Sequence, residues 1–208
     1  MKQLFLTSSV HAVAHDLVKK LDLSGGNKLV FINTAAEQEE HDDPWEEEDR
    51  AALERAGFET TVYTISGKTE QQLREDLAQY DFIYVSGGNT FYLLQQSQKS
   101  GFTRVVHELV EAGKTYIGTS AGSIITGKKC PDYLLRKDEV LELEGKDGYG
   151  FVNFTVLPHW GSEGFRQKYI GSRLEMAYSE QQVPLLILTD TQYVHVIDGQ
   201  MKIVDSRA

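Results

Sequence analysis

Short apolar runs that end in small polar residues alternate with helix-period segments through the first two thirds of the chain, and this alternation restricts the fold more than any other feature. The strand-like runs are Lys2–Thr7, Lys28–Asn33, Glu59–Ile65, Asp81–Ser86 and Lys114–Thr119. Between them, Val10–Leu21, Pro44–Ala56, Thr69–Ala78, Thr90–Lys99 and Thr103–Ala112 carry helical spacing with proline, glycine or acidic end signals. Such a pattern predicts an α/β fold with a largely parallel sheet and helices on both faces. The last third, with apolar segments at Phe154–Leu157, Leu185–Leu188, Tyr193–Ile197 and Met201–Val204 and a helix over Gly164–Tyr178, predicts a partly antiparallel end, because Asp198-Gly199 is a hairpin signal. No linker divides the 208 residues, which are read as a single α/β domain over 1–208.

In a sheet of this kind the working site lies beyond the carboxyl ends of the strands. Thr7-Ser8-Ser9, Asn33-Thr34, Ser86-Gly87-Gly88-Asn89 and Thr119-Ser120 all fall at such ends. Within the last of these, Gly118-Thr119-Ser120-Ala121-Gly122 has the Gly-x-Ser-x-Gly pattern of a nucleophile elbow, in which a sharp strand-to-helix turn presents the serine. The Ala121 amide, at the start of the following helix, could receive an oxyanion. An ordinary tight turn would use the same small residues.

A nucleophilic serine needs a base. Of six histidines, His159 is the one that follows an apolar strand in Leu157-Pro158-His159-Trp160 and so reaches the same edge. A turn histidine is the plain alternative. His11 and His15, four apart, could hold a metal but suit a helix surface, His41 lies in an acidic run, His107 is mid-helix and His195 alternates along a strand. Two acids stand in polar punctuation beside apolar segments: Asp190 after Leu185–Leu188, and Asp132 in Cys130-Pro131-Asp132-Tyr133. Gly87-Gly88-Asn89-Thr90 opens a helix, where glycines let amides approach a ligand and Asn89 can cap the helix or contact substrate. A phosphate loop would need a spacing and a lysine that are absent, so no cofactor and no metal is expected.

The net charge of −10 argues against nucleic acid and anionic membrane surfaces as partners. One cysteine, Cys130, leaves no internal disulfide and fits a cytoplasmic setting, and no apolar stretch approaches the roughly 20 residues of a membrane span.

Taken together, VSGGNTFYLL (85–94), YIGTSAGSIITG (116–127), the LPHW around His159 and the arginine-bearing helix after it resemble the peptidase E family of serine peptidases, from the first strand to about Val196. The resemblance implies a fold like class I glutamine amidotransferases, with serine in place of their cysteine. It implies Ser120 as nucleophile, His159 as base, Asp190 as the third carboxylate, Asp132 as a further acid of the relay, and an oxyanion hole from Gly88 and Ala121. Arg166 matches the arginine that receives a substrate aspartate. Thr119 stands where the dipeptidase branch carries tryptophan, and Asp190 where the family usually has glutamate. The expected activity is hydrolysis of small peptides, with N-terminal aspartyl dipeptides as the implied substrate and a monomer or homodimer as the assembly. A carboxylate-metabolite binder, or a hydrolase of another amide or ester, is the alternative.

Overall fold

The computed structural model describes residues 1–39, 44–134, 142–180 and 183–207. Its centre is a seven-stranded sheet. In chain order the strands are β1 (Gln3–Thr7), β2 (Lys28–Ile32), β3 (Glu59–Tyr63), β4 (Phe82–Val85), β5 (Thr115–Thr119), β6 (Thr155–Leu157), β7 (Leu185–Ile187), β8 (Gln192–Ile197) and β9 (Gln200–Asp205). The large sheet runs β3-β2-β4-β5-β1-β8-β9, and β6-β7 form a separate two-stranded sheet. The first five positions are parallel; β8 and β9 are antiparallel to their neighbours, joined by Asp198 and Gly199, both with positive φ. The hairpin signal is therefore realised as a left-handed turn.

The helices are α1 (Val10–Leu17), α2 (Trp45–Arg55), α3 (Glu70–Leu77), α4 (Thr90–Ser100), α5 (Phe102–Glu111), α6 (Ala121–Ile124), α7 (Glu163–Lys168) and α8 (Leu174–Glu180). The expected first helix is shorter than its apolar pattern, because Val18–Lys20 tightens into a 3₁₀ turn. The expected helix over Gly164–Tyr178 is split by a π-helical turn at Tyr169–Arg173. Local spacing cannot report such a turn. Here it lets the Tyr169 hydroxyl donate to the Pro158 carbonyl, tying the helix to the loop that carries His159.

Side-chain alternation along the strands splits the core into two layers. Phe5, Leu29, Phe31, Tyr84 and Ile117 face α1 and α2, packing with Val10, Val13, Leu17 and Leu53. Leu4, Leu6, Val30, Ile32, Ile83, Val85 and Tyr116 face the opposite layer, with Leu73, Phe91, Phe102, Val105, Tyr169 and Ala177. Strands buried on both faces explain why β1, β4 and β5 read as nearly continuous apolar runs. Among the described residues no helix is long and apolar enough to cross a membrane.

Candidate active site

The parallel strands send Thr7, Ile32, Val85 and Thr119 to one edge of the sheet. Because β8 runs the other way, with Thr7 paired to Tyr193, the segment entering β8 begins at that same edge. The small sheet completes the convergence. β6 and β7 are parallel, with Leu157 opposite Ile187, so both chains leave together. Leu188 N–H donates to Leu157 O (3.0 Å) and Trp160 N–H to Leu188 O (2.9 Å), which holds the two exits side by side. His159 is two residues beyond one strand end and Asp190 three beyond the other. Their side chains meet, His159 Nδ1 lying 2.7 Å from Asp190 Oδ1.

Ser120 sits between β5 and α6 with φ 49° and ψ −107°, a conformation costly for a residue with a side chain and of order 1–3 kcal/mol. The surrounding structure enforces it. Ser120 N–H donates to Thr7 O (3.1 Å) and Gly122 N–H to Ser86 O (3.2 Å). Ser123 Oγ donates to both Thr7 O and Gly118 O at 2.8 Å. The flanking glycines are required by contact: a Cβ on Gly118 would lie 2.4 Å from Gly122 O, and one on Gly122 would lie 2.1 Å from Val85 O. Both glycines are thus forced by the close approach of the backbone on either side of Ser120. A Cβ on Gly87 would stand 3.9 Å from Ser120 Oγ, in ordinary van der Waals contact.

Gly88 has φ 123°, and a Cβ there would lie 2.2 Å from Ala35 O. Among the described residues, neither the Gly88 nor the Ala121 amide has a hydrogen-bond partner. Asn89 caps α4, its Oδ1 accepting from Phe91 N–H (2.9 Å) and Tyr92 N–H (3.0 Å). The capping role expected of Asn89 is thus realised by its side-chain oxygen, and the residue also borders the cavity.

Ser120, Gly87, Gly88 and His159 line a cavity of about 460 Å³. The His159 side chain is 15% exposed, has φ 62°, and stacks on Phe165 with ring centroids 4.3 Å apart. Ser8 ties the dyad to β1: its hydroxyl donates to Asp190 Oδ1 (2.8 Å) and accepts from His159 N–H (2.7 Å). Burial pushes the Asp190 carboxyl upward, but the hydrogen bond and charge of His159, with the Ser8 hydroxyl, outweigh it and hold it below its ordinary value.

Two predicted residues lie away from this centre. Asp132 pairs with Lys146 at 2.7 Å, both partly exposed, and is not brought to the imidazole. Arg166 is 63% exposed, 4.0 Å from Glu163, and does not line the cavity. The helical repeat explains the second difference: the residues of this segment that border the cavity are Gly164, Phe165, Lys168, Tyr169 and Arg173. Ser8 as an individual, Phe165 and the pairing of His11 with Asp49 are not singled out by the sequence. Ser8 carried a signal, its place at a strand end. Asp49 sits in the run Glu46-Glu47-Glu48-Asp49, and nothing local says that only the last acid is buried. His41 and residues 135–141 lie outside the described residues. Among the described residues no group of three or more His, Cys, Asp or Glu side chains is placed to hold a metal ion.

Comparison with known proteins matches this arrangement to a family. The model of peptidase family S51 matches residues 4–204. An uncharacterized peptidase of Listeria monocytogenes is 35% identical over 170 residues, covering 80% of this chain and 82% of that protein. Peptidase E of Salmonella arizonae is 26% identical over 184 residues, 86% of this chain and 76% of its own. The crystal structure of a candidate peptidase E from Listeria monocytogenes superposes with a TM-score of 0.86 at 29% identity, covering 99% and 98% of the two chains. On the family match across nearly its whole length, with the elbow and the His–Asp pair at one sheet edge, the chain belongs to peptidase family S51.

Proposed function

We propose that this serine-type peptidase cleaves small peptides, with N-terminal aspartyl dipeptides as the preferred class, through Ser120, His159 and Asp190. The observation that carries the reading is the 2.7 Å contact between His159 and Asp190 in a cavity that also holds the strained Ser120. Asp190 accepts from Nδ1–H, which leaves Nε2 unprotonated and able to take the serine proton. The hydroxyl oxygen then attacks the carbonyl carbon, and the carbonyl electron pair moves to oxygen. The amides of Gly88 and Ala121, unpaired within the described residues, are the donors available to that oxyanion. His159 passes its proton to the leaving amine as the C–N bond breaks. Water repeats the cycle on the acyl-enzyme and releases the acid.

Two features support the substrate class. A cavity of about 460 Å³ is of a size that encloses a small ligand rather than an extended chain. Lys168 and Arg173 border it, and a carboxylate side chain buried beside Ser120 needs such cations. Selectivity for an acidic first residue is thus assigned to Lys168 and Arg173 in place of Arg166. Cys130 is buried, its thiol pushed up to about 12 by burial, and with no second cysteine this suits a cytoplasmic enzyme.

The test is a fluorophosphonate probe together with a dipeptide library varied at the first residue. Labelling of the wild type at Ser120, loss of label in Ser120→Ala, and a preference for aspartate are expected. Absence of labelling and turnover would overturn the nucleophile, whereas turnover without acidic preference would overturn only the substrate class.

A further inference from the structure

A second histidine–carboxylate pair borders the same cavity and takes no part in the chemistry above. His11 Nδ1 lies 3.1 Å from Asp49 Oδ1, and the other Asp49 oxygen accepts from the buried Tyr84 hydroxyl at 2.7 Å. The Asp49 side chain is 3% exposed and the His11 ring 42%. Among the described residues no lysine or arginine pairs with Asp49. A carboxylate this buried needs a countercharge, and the imidazole of His11 is the cationic group in reach.

The pair faces the cavity from the α1–α2 layer, opposite the layer that carries Lys168 and Arg173, with Ser120 on the sheet edge between. A peptide lying across Ser120 therefore spans from one cationic wall to the other. The leaving residue must lie on the side of His159, which protonates it. Ser8 holds both Asp190 and the His159 backbone amide, and the hydroxyl of the next residue, Ser9, lies 3.1 Å from His11 Nδ1, so His11 belongs to that side.

We propose that His11, oriented by Asp49, binds the free C-terminal carboxylate of the leaving residue through Nε2–H and so restricts the enzyme to very short peptides. The proposal rests on the peptidase reading above. Asp49 is a positioning residue; it engages Nδ1 and favours the charged form of the ring. The groups acting on His11 are Asp49 and Glu48 from α2 and Asp190 from the turn after β7. His15 lies one turn along its own helix, while Glu39, Lys168 and Arg173 border the cavity. The Asp49 hydrogen bond outweighs burial and raises the imidazole above its ordinary pKa, so the cation is lost only as pH rises through that raised value.

The test is calorimetric binding to Ser120→Ala, which removes turnover from the readout. Three ligands are used: aspartyl-leucine, its C-terminal amide, and asparaginyl-leucine. His11→Gln in the Ser120→Ala background should weaken aspartyl-leucine about 10- to 100-fold, the scale of one charge-assisted hydrogen bond. It should leave the already weak amide unchanged. Affinity for aspartyl-leucine should fall as pH rises through the His11 transition, and Asp49→Asn should move that fall to lower pH. An equal penalty on acid and amide, a penalty that follows the aspartate side chain instead, or no binding of any ligand would overturn the proposal. The hydrolase reading stands or falls separately, on labelling of wild-type Ser120.

Discussion

Replacing Asp190 with asparagine should lower kcat by about 100- to 10,000-fold while leaving the fold in place, and the range follows from two ways the amide can sit. Asp190 Oδ1 takes hydrogen bonds from His159 Nδ1 at 2.7 Å and Ser8 Oγ at 2.8 Å. If the amide oxygen takes that position, both bonds survive and only the charge is lost. Unit charges about 4 Å apart at an effective dielectric of 20 interact by about 4 kcal/mol. The Asp190 side chain is 38% exposed, so solvent screening reduces this to roughly 3 kcal/mol, near 100-fold in rate. If the NH₂ turns toward Nδ1, the imidazole is driven to the tautomer with its proton on Nε2. It can then no longer accept from Ser120, and a loss of about 10,000-fold is expected. Steady-state kinetics on an aspartyl dipeptide, with the fluorophosphonate labelling rate as a second readout, measure the effect. Asp132→Asn serves as the internal control, because its ion pair with Lys146 is exposed and worth little, and it should change kcat less than twofold. A loss below tenfold in Asp190→Asn, or equal small losses in both variants, would refute the assignment and leave His159 oriented by another group.

The same carboxylate has a stability signature. Its folded pKa is depressed, so its contribution is present above the unfolded value near 3.9 and lost as pH falls through the lower folded value. Thermal melts should therefore show the gap between wild type and Asp190→Asn closing in acid. Gly122→Ala forces a methyl toward Val85 O and should cost about 3 kcal/mol or more, lowering Tm by roughly 6–12 °C, with Ser120 labelling lost in whatever remains folded. Phe165→Ala removes the ring stacked on His159 and should reduce kcat about tenfold with KM little changed, as steady-state kinetics would show. Arg173→Met should lower kcat/KM for aspartyl dipeptides far more than for neutral ones, whereas Arg166→Met should leave that ratio within about twofold, since its exposed pair with Glu163 contributes little; the opposite ranking would return the specificity role to Arg166.

Sequence alone determined what depends on neighbours along the chain. The period of the apolar residues specifies parallel strands buried on both faces, because a strand covered twice has no polar face to show. The Gly-x-Ser-x-Gly pattern at Ser120 was legible because its two glycines stand two residues either side of the serine. The contacts behind that requirement, Gly122 O and Val85 O, come from the fold. His159 and Asp190 were legible as strand-end residues, but their pairing depends on β6 and β7 being parallel and in a register that places Leu157 opposite Ile187. No local pattern encodes that register. Which of Asp190 and Asp132 meets the imidazole likewise depends on the tertiary structure, where one acid reaches His159 and the other pairs with a lysine. The helix after His159 shows the same limit. Its apolar spacing predicts one smooth cylinder, whereas the structure splits it with a π turn at Tyr169–Arg173 and brings Lys168 and Arg173, but not Arg166, to the cavity. His11 and Asp49 are 38 residues apart and became a pair only when α1 packed on α2. Burial is a property of packing between layers, so a short-range signal could mark both residues as polar but could not tell which acid in an acidic helix would be enclosed.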